Sequence, residues 1–117
     1  MSPNIDFTCT DVKTSTLLSC SFNLNKSELH ILEYFFRNKT PRSIQDIAAD
    51  LKLERSGVQK AIKSLLNKEV LDRRQVNNDA GGYYYRYFMK NRDEIRVLMK
   101  TRLDSWYSNA MNTINTI

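Results

Sequence analysis

Residues 43–67 read SIQDIAADLKLERSGVQKAIKSLLN, and this stretch decides the fold. Ile44, Ile47, Ala48 and Leu51 recur at three- and four-residue spacing, and Val58, Ala61, Ile62, Leu65 and Leu66 do the same further on. That spacing places side chains on one face of an α-helix, so the stretch holds two short amphipathic helices. Neither can bury its apolar face alone. Ser43 stands at the N-cap of the first, and Leu53, in the turn, is placed in the angle between the two. A helix-turn-helix follows. The outer face of the second helix carries Arg55, Ser56, Gln59, Lys60, Lys63 and Ser64, and no acid. A helix lying in the major groove of DNA needs donors for base edges and cations for phosphates. A solvated helix of an ordinary bundle would show the same face, so the decision falls to the residues around it.

Charge supports the DNA reading. The chain of 117 residues carries a formal net charge of +5. From Arg42 to Arg92 there are eleven basic residues against six acidic ones, while the flanks on either side balance. The whole excess therefore surrounds the helix-turn-helix, which points to a polyanionic partner. Apolar content of 41% and charged content of 26% exclude wholesale disorder and allow a real core in one domain. No apolar run is long enough to span a membrane, and the N-terminus lacks the basic start and apolar core of a secretory signal. A cytoplasmic protein is expected. Cys9, Cys20 and His30 fall short of a zinc site, which wants four ligands in close pairs. The two cysteines read as ordinary thiols and His30 as a surface residue; no metal and no cofactor is expected. There is also no glycine-rich phosphate loop and no base with a nucleophile partner, so a catalytic site is not expected.

Working outward, residues 1–21 are weakly patterned and read as an N-terminal arm or short helix. Asn25 and Glu28 have the form of a capping box, which opens a helix running to about Asn38. That helix should bury Leu29, Leu32, Phe35 and Phe36, with Ile31 and Tyr34 at its edges. After Asn67 the period changes. Val70–Val76 and Tyr83–Phe88 are strand-like runs separated by Asn77-Asn78-Asp79-Ala80-Gly81-Gly82, which makes a hairpin. Gly81 and Gly82 permit positive φ and a close backbone approach. Tyr83, Tyr85 and Tyr87 share one strand face; Tyr84, Arg86 and Phe88 share the other; the residues leave open which is buried. Lys90–Ile117 reads as one long helix with Asn91 as cap. Its stripe of Ile95, Met99, Leu103, Trp106, Ala110, Ile114 and Ile117 is too long for so small a body to cover, so dimerisation with a second copy is expected. The fold class is mainly α with a small β-hairpin: a winged helix-turn-helix over residues 22–90 with a long C-terminal dimerisation helix over 91–117.

This order of elements resembles the MarR/TrmB-like transcription regulators of prokaryotes, especially the small archaeal ones. Phe22-Asn-Leu24-Asn-Lys26-Ser-Glu28 is similar to the family's entry into its first helix, and Ile44-Gln-Asp-Ile47-Ala48-Ala-Asp-Leu51 to its second. Val58-Gln-Lys-Ala61-Ile62-Lys-Ser-Leu65 is similar to its recognition helix, and Val70-Leu71-Asp-Arg73-Arg74 with the tyrosine run to its wing. Two positions depart from the pattern. Glu54 stands where the family has a Ser or Thr cap. Glu69 stands where it has glycine, and a non-glycine residue in the left-handed region costs about 1–2 kcal/mol, so a different helix exit is expected there.

The resemblance implies a homodimer on double-stranded DNA with two recognition helices in successive major grooves. Arg55, Ser56 and Gln59 are the candidates for base edges. Lys60 and Lys63 are the candidates for phosphates, with Arg42 and Ser43 beside them. The wing offers Arg73, Arg74, Asn77, Asn78, Gly81, Gly82 and Arg86 to backbone or minor groove. The rival reading is a winged-helix protein-docking module without sequence-specific DNA binding. Operator, target genes and any small-molecule effector are not legible.

Overall fold

A computed structural model describes residues 13–117; Cys9 and the rest of the N-terminal stretch lie outside them. The elements in chain order are α1 (Thr14–Phe22), α2 (Lys26–Arg37), α3 (Ile44–Leu51), α4 (Arg55–Asn67), β1 (Leu71–Asn77), β2 (Tyr83–Met89) and α5 (Arg92–Asn115). This is the expected mainly helical winged fold with a two-stranded antiparallel hairpin and a long C-terminal helix. The chain parts into two units, Lys26–Lys90 and the pair of terminal stretches up to Asn25 and from Asn91.

In the Lys26–Lys90 unit, α3 begins where Ser43 closes a capping box: Asp46 N–H donates to Ser43 Oγ at 3.1 Å, and Ser43 N–H to Asp46 Oδ2 at 3.3 Å. Ile47 and Ala48 on α3 and Val58, Ala61, Ile62 and Leu65 on α4 are buried, as their spacing dictates. Leu53 is not: it is 41% exposed. Lys52 adopts the left-handed region at φ 55° and Leu53 N–H closes onto Ala48 O at 3.0 Å. The backbone thus takes this sharp turn with Leu53 only partly covered.

The buried stripe of α2 is Ile31, Leu32, Tyr34 and Phe35, with Leu29 and Phe36 only half-buried. The expected stripe is therefore turned toward the residues placed at its edges. Polar partners make this possible. Tyr34 enters the core because its hydroxyl donates to Asp50 Oδ2 at 2.6 Å. Burial and that carboxylate push its pKa up to about 12. Glu28 is buried with Lys68 Nζ 3.0 Å from its Oε1, tying α2 to the end of α4.

At Glu69 the expected change of helix exit does not occur. Glu69 takes the left-handed conformation at φ 67°. Its N–H donates to Leu66 O at 3.0 Å, Val70 N–H donates to Leu65 O at 3.3 Å, and Val70 is fully buried. Those bonds and that burial offset the cost of a Cβ in this region.

The hairpin pairs Leu71 with Met89 through to Asn77 with Tyr83, and Arg42 adds a single bridge to Tyr87 on the far edge of β2. Gly81 (φ 96°) and Gly82 (φ 81°) turn the loop, and a Cβ on either would meet no atom within 4 Å. They are needed for φ, not for a close approach within the chain. The two faces of the tyrosine run differ less than the two ends of the strand. Leu71 and Tyr87 are buried at the base on one face, whereas Tyr83 on that same face, at the tip, is 58% exposed.

In the terminal unit, α1 packs on α5, with Arg102 of α5 5.7 Å from the Phe22 ring. Leu18, Phe22 and Ile95 are buried. Asn91 caps α5, accepting from Glu94 N–H at 2.8 Å. The nine residues of α1 reach about 14 Å, against about 36 Å for the 24 residues of α5. Trp106, Tyr107, Ile114 and Ile117 remain exposed, and residues 105–117 contain no charged side chain.

Candidate nucleic-acid interface

The burial of Val58, Ile62 and Leu65 turns the opposite side of α4 outward. Arg55, Ser56, Gln59, Lys60 and Lys63 are all exposed, and among the described residues none of these cations has an ion-pair partner. Glu54 is the N-cap but makes no side-chain cap bond, so the first turn of α4 keeps its outward amide groups unoccupied by it.

A groove of about 650 Å³ opens between this end of α4, the first turn of α3 and the wing. Arg55, Gln45, Asn78, Tyr84 and Arg86 line it, together with Asp46, whose carboxylate already accepts from Ser43. Arg86 donates to Tyr84 Oη at 3.1 Å, and its Nε is buried without a hydrogen-bond partner. It stands directly opposite Arg74 in the ladder. Like charges in that position repel, and an anion between them removes the repulsion.

Two other expected contributors have partners inside the fold. The Arg42 backbone exchanges hydrogen bonds with Tyr87 at 2.9 and 2.8 Å, and its Nη1 lies 3.8 Å from Asp50. Ser43 is engaged in its capping box. Arg73 is exposed but stacked, its Cζ 4.1 Å from the Tyr85 ring centroid. Asn77, Asn78, Gly81 and Gly82 are exposed at the wing tip. On the terminal unit Trp106, Ile114 and Ile117 are exposed and Met99, Leu103 and Ala110 half-buried, but Ile95 is buried and unavailable to a second copy. The reason is that α5 turns its first apolar residue inward at its capped start. Val97, 62% exposed, was not in the expected stripe.

Sequence spacing missed Tyr84 and Gln45 as groove residues and the Arg73–Tyr85 stack. Each depends on which strand edge meets which helix end, and no local period encodes that. Among the described residues no cluster of three His, Cys, Asp or Glu side chains could hold a metal, and no helix is long and apolar enough to cross a membrane. Cys20 is half-buried on α1, and His30 is exposed on α2.

A helix-turn-helix flanked by a two-stranded wing, with the second helix exposed, defines a winged helix-turn-helix protein. The family model for the DnaD N-terminal domain matches residues 16–103, and the chain belongs to that family. It is 33% identical over 109 residues to the uncharacterized protein MJ1503 of Methanocaldococcus jannaschii, covering 93% of this chain and 82% of that one. A solved structure described as a possible transcriptional regulator from Methanosarcina mazei Go1 superposes with a TM-score of 0.83 at 30% identity, covering 99% of this chain and 98% of that one. A MarR family transcription regulator, SP03579, superposes with a TM-score of 0.51 at 13% identity, covering 89% of this chain and 67% of that one. At that identity the likeness is one of fold alone.

Proposed function

We propose that the protein is a cytoplasmic, non-enzymatic transcription regulator that binds double-stranded DNA in a sequence-specific way as a homodimer, in the manner of small MarR/TrmB-like regulators. The observation that carries this is the exposed face of α4, rich in donors and cations and free of acid, beside a groove lined by Arg55 and Arg86. The likeness to the Methanosarcina mazei structure, described as a possible transcriptional regulator, supports the same reading. Arg55, Ser56 and Gln59 meet base edges; Lys60, Lys63, Arg74 and Arg86 meet phosphates. The exposed half of α5 joins two copies and so places two recognition helices in successive major grooves.

Fluorescence anisotropy on specific and scrambled duplexes, at several salt concentrations, tests this. Gln59→Ala should cost about 1–3 kcal/mol on the preferred site and relax choice at one position. Lys63→Ala should weaken every duplex alike and lower the salt slope by about 0.9 for each phosphate the variant no longer neutralises. Folded variants that both bind like the parent would overturn the assignment and favour the protein-docking module.

A further inference from the structure

The wing carries a second, differently built surface on the face turned away from Arg74 and Arg86. Along that face β1 presents Arg73, Gln75 and Asn77, opposite Tyr87, Tyr85 and Tyr83 of β2. The Arg73 guanidinium lies 4.1 Å from the Tyr85 ring centroid. Tyr85 in turn meets Tyr83 edge-on, with centroids 5.6 Å apart and planes at 75°. Gln75 Nε2 donates to Asn77 Oδ1 at 3.1 Å, which orients both amides beside the rings. At its base this face runs into a groove of about 430 Å³ where Lys63, Arg73 and Lys90 outnumber Glu69 and Asp72.

Tyr85 is engaged by its two neighbours. Tyr83 meets Tyr85 at 75° and remains 58% exposed, so much of its ring is open to solvent. An exposed flat ring with amide donors and acceptors alongside and cations leading up to it is what an unpaired nucleobase and its phosphodiester require. A paired base inside a duplex cannot present its flat face to such a ring. We infer that this face of the wing binds a single-stranded segment of DNA by stacking one unpaired base on Tyr83, with Lys63, Arg73 and Lys90 holding its backbone. The choice of DNA rests on the proposed function of α4; the stacking chemistry does not. The source of the unpaired base, a free strand or a gap in a duplex, is for the experiment to separate.

The test is anisotropy on one sequence in three forms: single strand, fully paired duplex, and duplex with a short single-stranded gap. Tyr83→Ala should weaken the single-stranded or the gapped form, or both, by about fivefold to about a hundredfold. It should leave the fully paired form within about twofold of the parent. Tyr83→Phe, which keeps the ring, should restore binding. A 2-aminopurine placed in the unpaired segment should change its emission on binding the parent and not on binding Tyr83→Ala. Unpaired DNA bound equally by parent and Tyr83→Ala, or not bound at all, overturns the inference. Ring-dependent binding of unpaired DNA with no binding of paired DNA leaves the inference standing and removes the duplex reading. The reverse pattern does the opposite.

Discussion

Helices α4 and α5 both carry apolar residues at helical spacing, yet the structure treats them differently. In α4, 13 residues long, Val58, Ala61, Ile62 and Leu65 are buried. In α5, 24 residues long, Ile95 alone is buried. The difference lies in what is available to cover each. Helix α4 packs on α2, on α3 and on β1, so its apolar face is closed within the chain. Helix α5 meets only the short α1 among the elements of its own unit. The lesson is that an apolar stripe says a face will be covered without saying by what. For α4 the cover is the chain itself; for α5 it is the proposed second copy. The family match stops at Leu103, so the case for the exposed half of α5 rests on its own residues.

The largest effect should come from opening the closed core beneath α4. Ile62→Ala should destabilise by about 2–5 kcal/mol, since Ile62 is 1% exposed and its removal leaves a cavity. Urea unfolding would measure it, and a loss below about 1 kcal/mol would mean the α4 core is looser than its burial implies.

The open side should respond in assembly instead. A double variant, Trp106→Asp with Ile114→Asp, should convert a dimer to a monomer in light scattering while keeping the helical circular dichroism. Each of these side chains is worth about 1.5–3 kcal/mol when buried against a second copy. A parent that is already monomeric at micromolar concentration would show that no second copy covers α5.

Tyr34 probes how tightly the closed side is sealed. Tyr34→Phe should cost about 1–2 kcal/mol because the bond to the half-exposed Asp50 carboxylate disappears. The fold raises this phenol from 10.0 to about 12, so it stabilises the protein fully below pH 10. That contribution should fade as pH rises from 10 toward 12, and Tyr34→Phe should abolish this part of the alkaline loss. Identical alkaline melting curves for the two proteins would show the bond is not made.

The smallest effect is expected at the exposed side of α4. A Cβ on Gly57 meets no atom within 4 Å. Gly57→Ala should therefore stabilise by up to about 1 kcal/mol through helix propensity alone. A lower melting temperature would mean that this turn is not helical in solution.

Much of the fold was legible because its signals are local. The three- and four-residue spacing of 43–67, the turn residues 77–82 and the Asn91 cap each act over a few residues, and the chain forms the corresponding elements. The outward face of α4 was legible too, because a helix with one buried side has only one other to offer. What the sequence could not decide were the contacts between distant positions. Glu28 reads as half of a capping box, and it is also buried against Lys68, 40 residues away. Tyr34 reads as an edge residue, yet Asp50 admits it to the core. Glu69 looks unsuited to a left-handed turn, but buried Val70 holds it there. Arg42 reads as a phosphate contact, and its backbone also bridges to the edge of β2, which no local pattern encodes. The sequence by itself determined the elements and the basic helix at their centre, since hydrogen bonding and side-chain period act between near neighbours. Only the tertiary structure decided which charges and rings are already taken, because burial and pairing depend on what lies across the fold.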